Sequence, residues 1–163
     1  MKKIGLLIII SMLLLILDNS VMPFFSVRGA YPSLLYIFII YYSLNKGYTE
    51  SILIGIFAGF LQDIYFSNGI GINMLTNMLT CILAAYVGNL IIREKKLIPV
   101  FLTFFLTFIK GTLIFVILYV DKKYFAYSQV LYNSLYNLIL GFFLYRIIYN
   151  FCQRDIVKAN WKL

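Results

Sequence analysis

The feature that most constrains this sequence is a succession of long apolar runs with almost no room between them. A helix crossing the hydrocarbon core of a bilayer needs roughly 20 mostly apolar residues. Six stretches approach that requirement, at about 4–22, 30–44, 48–66, 72–92, 97–120 and 126–151. Of the 163 residues, 63% are hydrophobic and 12% are charged, whereas soluble domains are nearer half apolar and a quarter charged. A soluble core of this size cannot hide so much apolar surface, but lipid accepts it on the outside of a bundle. The expected fold is an all-α integral membrane protein: one transmembrane domain over 1–163, built as a compact bundle of about six helices.

The residues between the runs fit that division. Lys2 and Lys3 precede the first run, and Asp18, Asn19, Ser20 and Val21 offer no small-x-small cleavage site, so it reads as a retained signal anchor ended by Pro23. Pro32 suits the first turn of the short second run, and Pro99 that of the fifth. Ser67 to Gly71 carries a turn signal. Arg93 to Lys96 and Asp121 to Lys123 are solvated charge runs. A re-entrant second segment would change both the span count and the side of the C-terminus.

Basic residues set the orientation. With the N-terminus inside, ten of the 14 Lys and Arg fall on the cytoplasmic side, against Arg28, Lys122 and Lys123 outside, with Lys110 within a span. Cytoplasmic loops collect Lys and Arg, so the rule selects an N-in, C-in arrangement in the cell (inner) membrane. The net charge of +8 has the same origin and calls for no nucleic acid.

Several chemistries drop out. There is no histidine, which removes the Ser-His-Asp triad and the commonest metal ligand. Cys81 and Cys152 form no zinc or CxxC spacing, and their places in or at the end of apolar spans argue against a disulfide. Neither a P-loop nor a GxGxxG is present, and Gly69-Ile70-Gly71 is a lone GxG in a turn. No catalytic residue, metal or cofactor is expected.

What remains is a set of polar and small-residue stripes. Gly47, Ser51, Gly55, Gly59 and Asp63 recur every four residues along the third run, and Gly55 and Gly59 make a GxxxG pair that admits a close backbone. In the fourth run Asn73, Asn77, Cys81, Ala85 and Asn89 repeat likewise, beside Thr76, Thr80, Ala84 and Gly88. In the sixth, Asn133, Asn137, Gly141 and Tyr145 do the same. Amides facing lipid are costly, so these faces should meet inside the bundle, as ordinary helix packing requires. Asp18, Asp63 and Lys110 lie within spans, each roughly 20 Å from its cytoplasmic end. An unpaired charge at that depth is expensive, which favours Lys110 pairing with Asp63 or, failing that, Asp18. The alternative has Lys110 reaching to the interface while Asp63 caps the turn at Asn68-Gly69.

The stretch from Gly55 through Gly59, Gln62 and Asp63 to Ile64, followed by Gly69 and Gly71, resembles the central signature of the bacterial rod shape-determining protein MreD family. Pro32 before the second run, then Gly47 and Glu50 ahead of the glycine stripe, follow that family's order of features. The layout is similar over nearly the whole chain, the motif only from about Pro32 to Gly71, and Lys110, Asn133 and Asn137 have no counterpart in the pattern. The resemblance implies a non-enzymatic membrane scaffold for lateral peptidoglycan synthesis. Its implied partners are an MreC-like bitopic protein and, through it, MreB, RodA and a class B penicillin-binding protein. A second reading is the substrate-binding S-component of an energy-coupling-factor vitamin transporter, also a six-helix fold rich in small residues, with Asn73, Asn77 and Asn133 lining a vitamin pocket. Against it, the bulky run from Leu13 to Leu17 leaves no Ala-x-x-x-Ala docking motif in the first span.

Overall fold

The computed structural model describes residues 2–65, 71–90, 97–120, 127–154 and 157. They form six α-helices: α1 (Lys2–Ser20), α2 (Leu34–Leu44), α3 (Tyr48–Tyr65), α4 (Ile72–Leu90), α5 (Leu97–Val120) and α6 (Ser128–Cys152), with a short 3-10 turn at Met22–Phe25. The charge runs and turn at 66–70, 91–96 and 121–126, Gly69 included, lie outside the described residues.

α2 sits at the centre. It touches α1, α3, α4, α5 and α6, which follow one another around it as α1–α3–α4–α5–α6. Every side chain from Leu35 to Leu44 is buried. Eleven residues reach only about 16 Å, too short to cross a hydrocarbon core of about 30 Å. α1, α5 and α6 are long and apolar enough to cross a membrane. Their outward faces expose Ile9, Leu13, Ile16, Phe105, Phe143 and Ile147, as lipid-facing surfaces do.

The second segment is shorter than its apolar run suggests. Helix α2 begins at Leu34 with Ser33 as its N-cap, accepting from the Tyr36 amide, so Pro32 falls before the helix and not in its first turn. Ahead of the helix Ser33 is extended, and two amides of this stretch go to side chains of α6: Asn133 Oδ1 accepts from Tyr31 N at 3.1 Å and Asn137 Oδ1 from Ser33 N at 3.0 Å. Just upstream, Val27 and Ala30 exchange backbone hydrogen bonds across a tight turn with Arg28 and Gly29 at positive φ (54° and 78°).

α3 and α4 form the most intimate pair. A Cβ on Gly55 would lie 3.0 Å from the Asn77 carbonyl oxygen, and one on Gly59 would lie 2.6 Å from that of Asn73. Gly88 does the same for α2, its backbone resting on the Leu44 carbonyl. Thr76, Thr80, Thr103, Thr107 and Ser134 return their hydroxyls to carbonyls one turn back, which satisfies each hydroxyl within its own helix.

Candidate functional site

The polar residues gather at two ends of the bundle. At the end near the termini, Lys3 Nζ of α1 donates to both carboxylate oxygens of Glu50 in α3, at 2.7 and 2.8 Å. The Tyr42 hydroxyl of α2 donates to the same carboxylate at 2.7 Å. Both charged side chains are more than nine-tenths buried. Such a pair is stabilising only with good geometry and its remaining lone pairs satisfied; the bidentate contact and the tyrosine supply both. Nearby, Lys46 Nζ donates to the Val157 carbonyl, tying the α2–α3 connection to the chain beyond α6.

At the opposite end, two carboxylates do a different job. Asp18 of α1 accepts from Leu34 N (2.6 Å), Leu35 N (3.1 Å) and Ser33 Oγ (2.8 Å), capping α2 from another helix. Asp63 accepts from Gly71 N (2.9 Å), Asn73 N (2.9 Å) and Met74 N (3.0 Å), capping α4. The first turn of a helix leaves its amides unpaired, and an anion there also meets the positive end of the helix dipole. Gly71, at φ 103°, brings the chain from α3 into position for that cap.

These two carboxylates leave Lys110 without an ion pair among the described residues. The expected Lys110–Asp63 pair is not formed, nor is one with Asp18. Both aspartates are engaged with the unpaired amides that open α2 and α4. Lys110 Nζ instead donates to Gln62 Oε1 at 3.2 Å and lies 4.5 Å from the centre of the Tyr36 ring. The alternative had Asp63 capping the turn at Asn68-Gly69, which lies outside the described residues; within them Asp63 caps the start of α4 through Gly71, Asn73 and Met74.

Gln62 links the helices here. Its Oε1 also accepts from Asn77 Nδ2 at 2.9 Å, joining α3, α4 and α5. Asn137 Nδ2 reaches Thr107 Oγ1 of α5 at 3.2 Å. Around Lys110 and Asp18 a cavity of about 440 Å³ opens, with Gln62, Asn73, Thr107, Asn133 and Asn137 in its wall. Asn77 is fully buried beside it, and Gly141 leaves room for the Tyr41 hydroxyl farther down. Ser51 returns its hydroxyl to Gly47, whose Cα faces open space. Asn89, at the far end of the α4 amide stripe, is exposed.

The family model for the rod shape-determining protein MreD matches residues 1–155. The chain belongs to the MreD family. It is thus a membrane protein with a role in rod shape determination, and MreD proteins act with the MreB and MreC shape machinery. No curated protein and no solved structure matches the chain. Nothing in these comparisons supports the vitamin-transporter reading.

Sequence reasoning passed over Lys3, Glu50 and Tyr42 as a cluster, Ser33 as a cap, and Gln62 as a link. Gln62 was visible as a polar side chain one residue from Asp63 inside an apolar run. Lys3 and Glu50 carried no comparable signal, being 47 residues apart and each at a helix start where a solvated charge is ordinary.

Proposed function

We propose that this chain is a non-enzymatic scaffold of the cell-elongation machinery in the cytoplasmic membrane, supporting lateral peptidoglycan synthesis. Its direct partner is an MreC-like bitopic protein, through which it reaches MreB, RodA and a class B penicillin-binding protein. The family match over 1–155 carries the reading. The chemistry of the bundle agrees with it. The Lys3–Glu50 pair, the two aspartate caps and the Gln62 links hold helices to one another. The chain forms a single transmembrane domain, N-in and C-in, with α2 completing the second passage through the extended residues before it. Gly55, Gly59, Asn77, Asn137 and Gly141 serve as packing positions.

The test is co-purification with a one-span, coiled-coil partner from the same cells, together with depletion in a rod-shaped host. Retention of the partner and rounding of the cells are expected. Unchanged cell shape on depletion, or a partner lost on mild solubilisation, would reject the scaffold. A reporter fused after Leu163 should be cytoplasmic and one near Lys122 external.

A further inference from the structure

We propose that the cavity at the Lys110 end of the bundle is a binding site for a small anion, a carboxylate or phosphate group carried on a molecule with hydroxyls or amides. Its size, about 440 Å³, falls in the range of small-molecule sites. The argument rests on which charges there are already committed. Helix N-termini attract anions, but α2 and α4 are closed by Asp18 and Asp63, whose oxygens are taken by Ser33 and by backbone amides. Lys110 forms no ion pair among the described residues and has three donors, of which Gln62 takes one. The Tyr36 ring face offers a cation an attraction but no acceptor lone pair.

The wall around this ammonium is mixed: Tyr36, Ile72, Ile114 and Leu118 give it an apolar part, and Asp18, whose oxygens are held by Ser33 and the first amides of α2, also borders it. Gln62, Asn73, Thr107, Gln129, Asn133 and Asn137 all reach the cavity, from α3, α4, α5 and α6. Carboxamides and hydroxyls both donate and accept, so they suit a ligand with hydroxyl or amide groups around its charge. A charge within a membrane bundle marks a functional position by default, and the cavity supplies the reason for this one. The site is independent of the scaffold reading: loss of ligand binding leaves partner co-purification untouched, and loss of the partner leaves binding untouched.

The same anion chemistry can arrive free in solution or as a lipid headgroup, and the experiment separates the two. The full chain is placed in nanodiscs of neutral phosphatidylcholine and titrated with inorganic phosphate and glycerol 3-phosphate, with calorimetry as readout. Parallel discs containing phosphatidylglycerol are tested by native mass spectrometry for co-retained lipid. Saturable binding in the neutral discs assigns a soluble anion; specific retention of phosphatidylglycerol alone assigns a headgroup. In either arm Lys110→Met should weaken binding about tenfold to a hundredfold, the worth of a hydrogen bond to a charged group, while Lys110→Arg should keep most of it. If Lys110→Met fails to fold, Asn133→Leu, which intrudes from α6, must abolish binding instead. Absence of saturable binding in both discs overturns the site. So does unchanged affinity in a folded Lys110→Met chain, or in Asn133→Leu where that variant stands in.

Discussion

The two ends of the bundle hold their carboxylates in opposite ways. Near the termini, Glu50 meets a lysine and a tyrosine, so charge answers charge between α1, α2 and α3. At the far end, Asp18 and Asp63 meet backbone amides, and Lys110 meets a carboxamide and an aromatic ring. The difference follows from where helices start. α2 and α4 both begin at the far end, each with a first turn of unpaired amides. The aspartates answer those amides with two or three hydrogen bonds each, and Lys110 turns to Gln62. A salt bridge inferred from depth alone overlooks this third party.

The largest effect should come from breaking the paired end. Glu50→Ala removes the carboxylate from a buried lysine and from Tyr42, with an expected loss of about 3–5 kcal/mol. Equilibrium unfolding in mixed micelles measures it, and Lys3→Met with Glu50→Leu should recover part of the loss. A small loss in the single variant would mean that Lys3 is solvated and the two ends are more alike than the geometry indicates.

Next in size is the capped end. Asp63→Ala strips the acceptor from three amides at the start of α4, and a loss of about 1–3 kcal/mol is expected. Hydrogen exchange should localise the change to residues 71–76. If protection there stayed intact while the whole protein lost stability, the aspartate would be acting through something other than the cap.

The glycine stripe sharpens the comparison along α3, which runs from one end to the other. Gly59→Ala drives a methyl into the Met74 backbone, a contact that only movement of α4 can relieve, and should cost about 1–3 kcal/mol. Gly47→Ala meets nothing within 4 Å and should be neutral or slightly stabilising in the same unfolding assay. Equal costs at both positions would deny that the close α3–α4 approach is confined to the middle and far part of the stripe.

Much of this architecture was legible in the sequence. Apolar runs fix helices wherever lipid demands internal hydrogen bonding, and the observed ends of α3 and α5 lie within a residue of those runs. Gly55 and Gly59, four residues apart, both lie against the α4 backbone. The start of α2 was not legible, because the amides of Tyr31 and Ser33 are taken by Asn133 and Asn137, more than 100 residues away. The partners of the charges were illegible for the same reason. The bounds of the apolar runs give an expected depth for Asp63 and Lys110 but not the amides that bond Asp63. The family signature extends through Gln62 and Asp63, yet its spacing alone does not show that Gln62 is the residue that meets Lys110.

The smallest effect expected is the coupling between Lys110 and Asp63, and it is the most direct test of the contrast between the ends. Asp63→Asn keeps one acceptor oxygen for the α4 amides, since Asn serves at an N-cap nearly as well as Asp. Lys110→Met removes a charge with no ion pair while keeping an unbranched side chain of similar length. With no direct contact, the two changes should add to within about 0.5 kcal/mol. The same cycle on Lys3 and Glu50 should show a coupling several times larger, because each single change there exposes the partner's buried charge. A Lys110–Asp63 coupling as large as that of Lys3 and Glu50 would mean that the lysine swings to the aspartate in the membrane. The α4 cap would then be shared, and the cavity would lose the free cation on which its anion site depends.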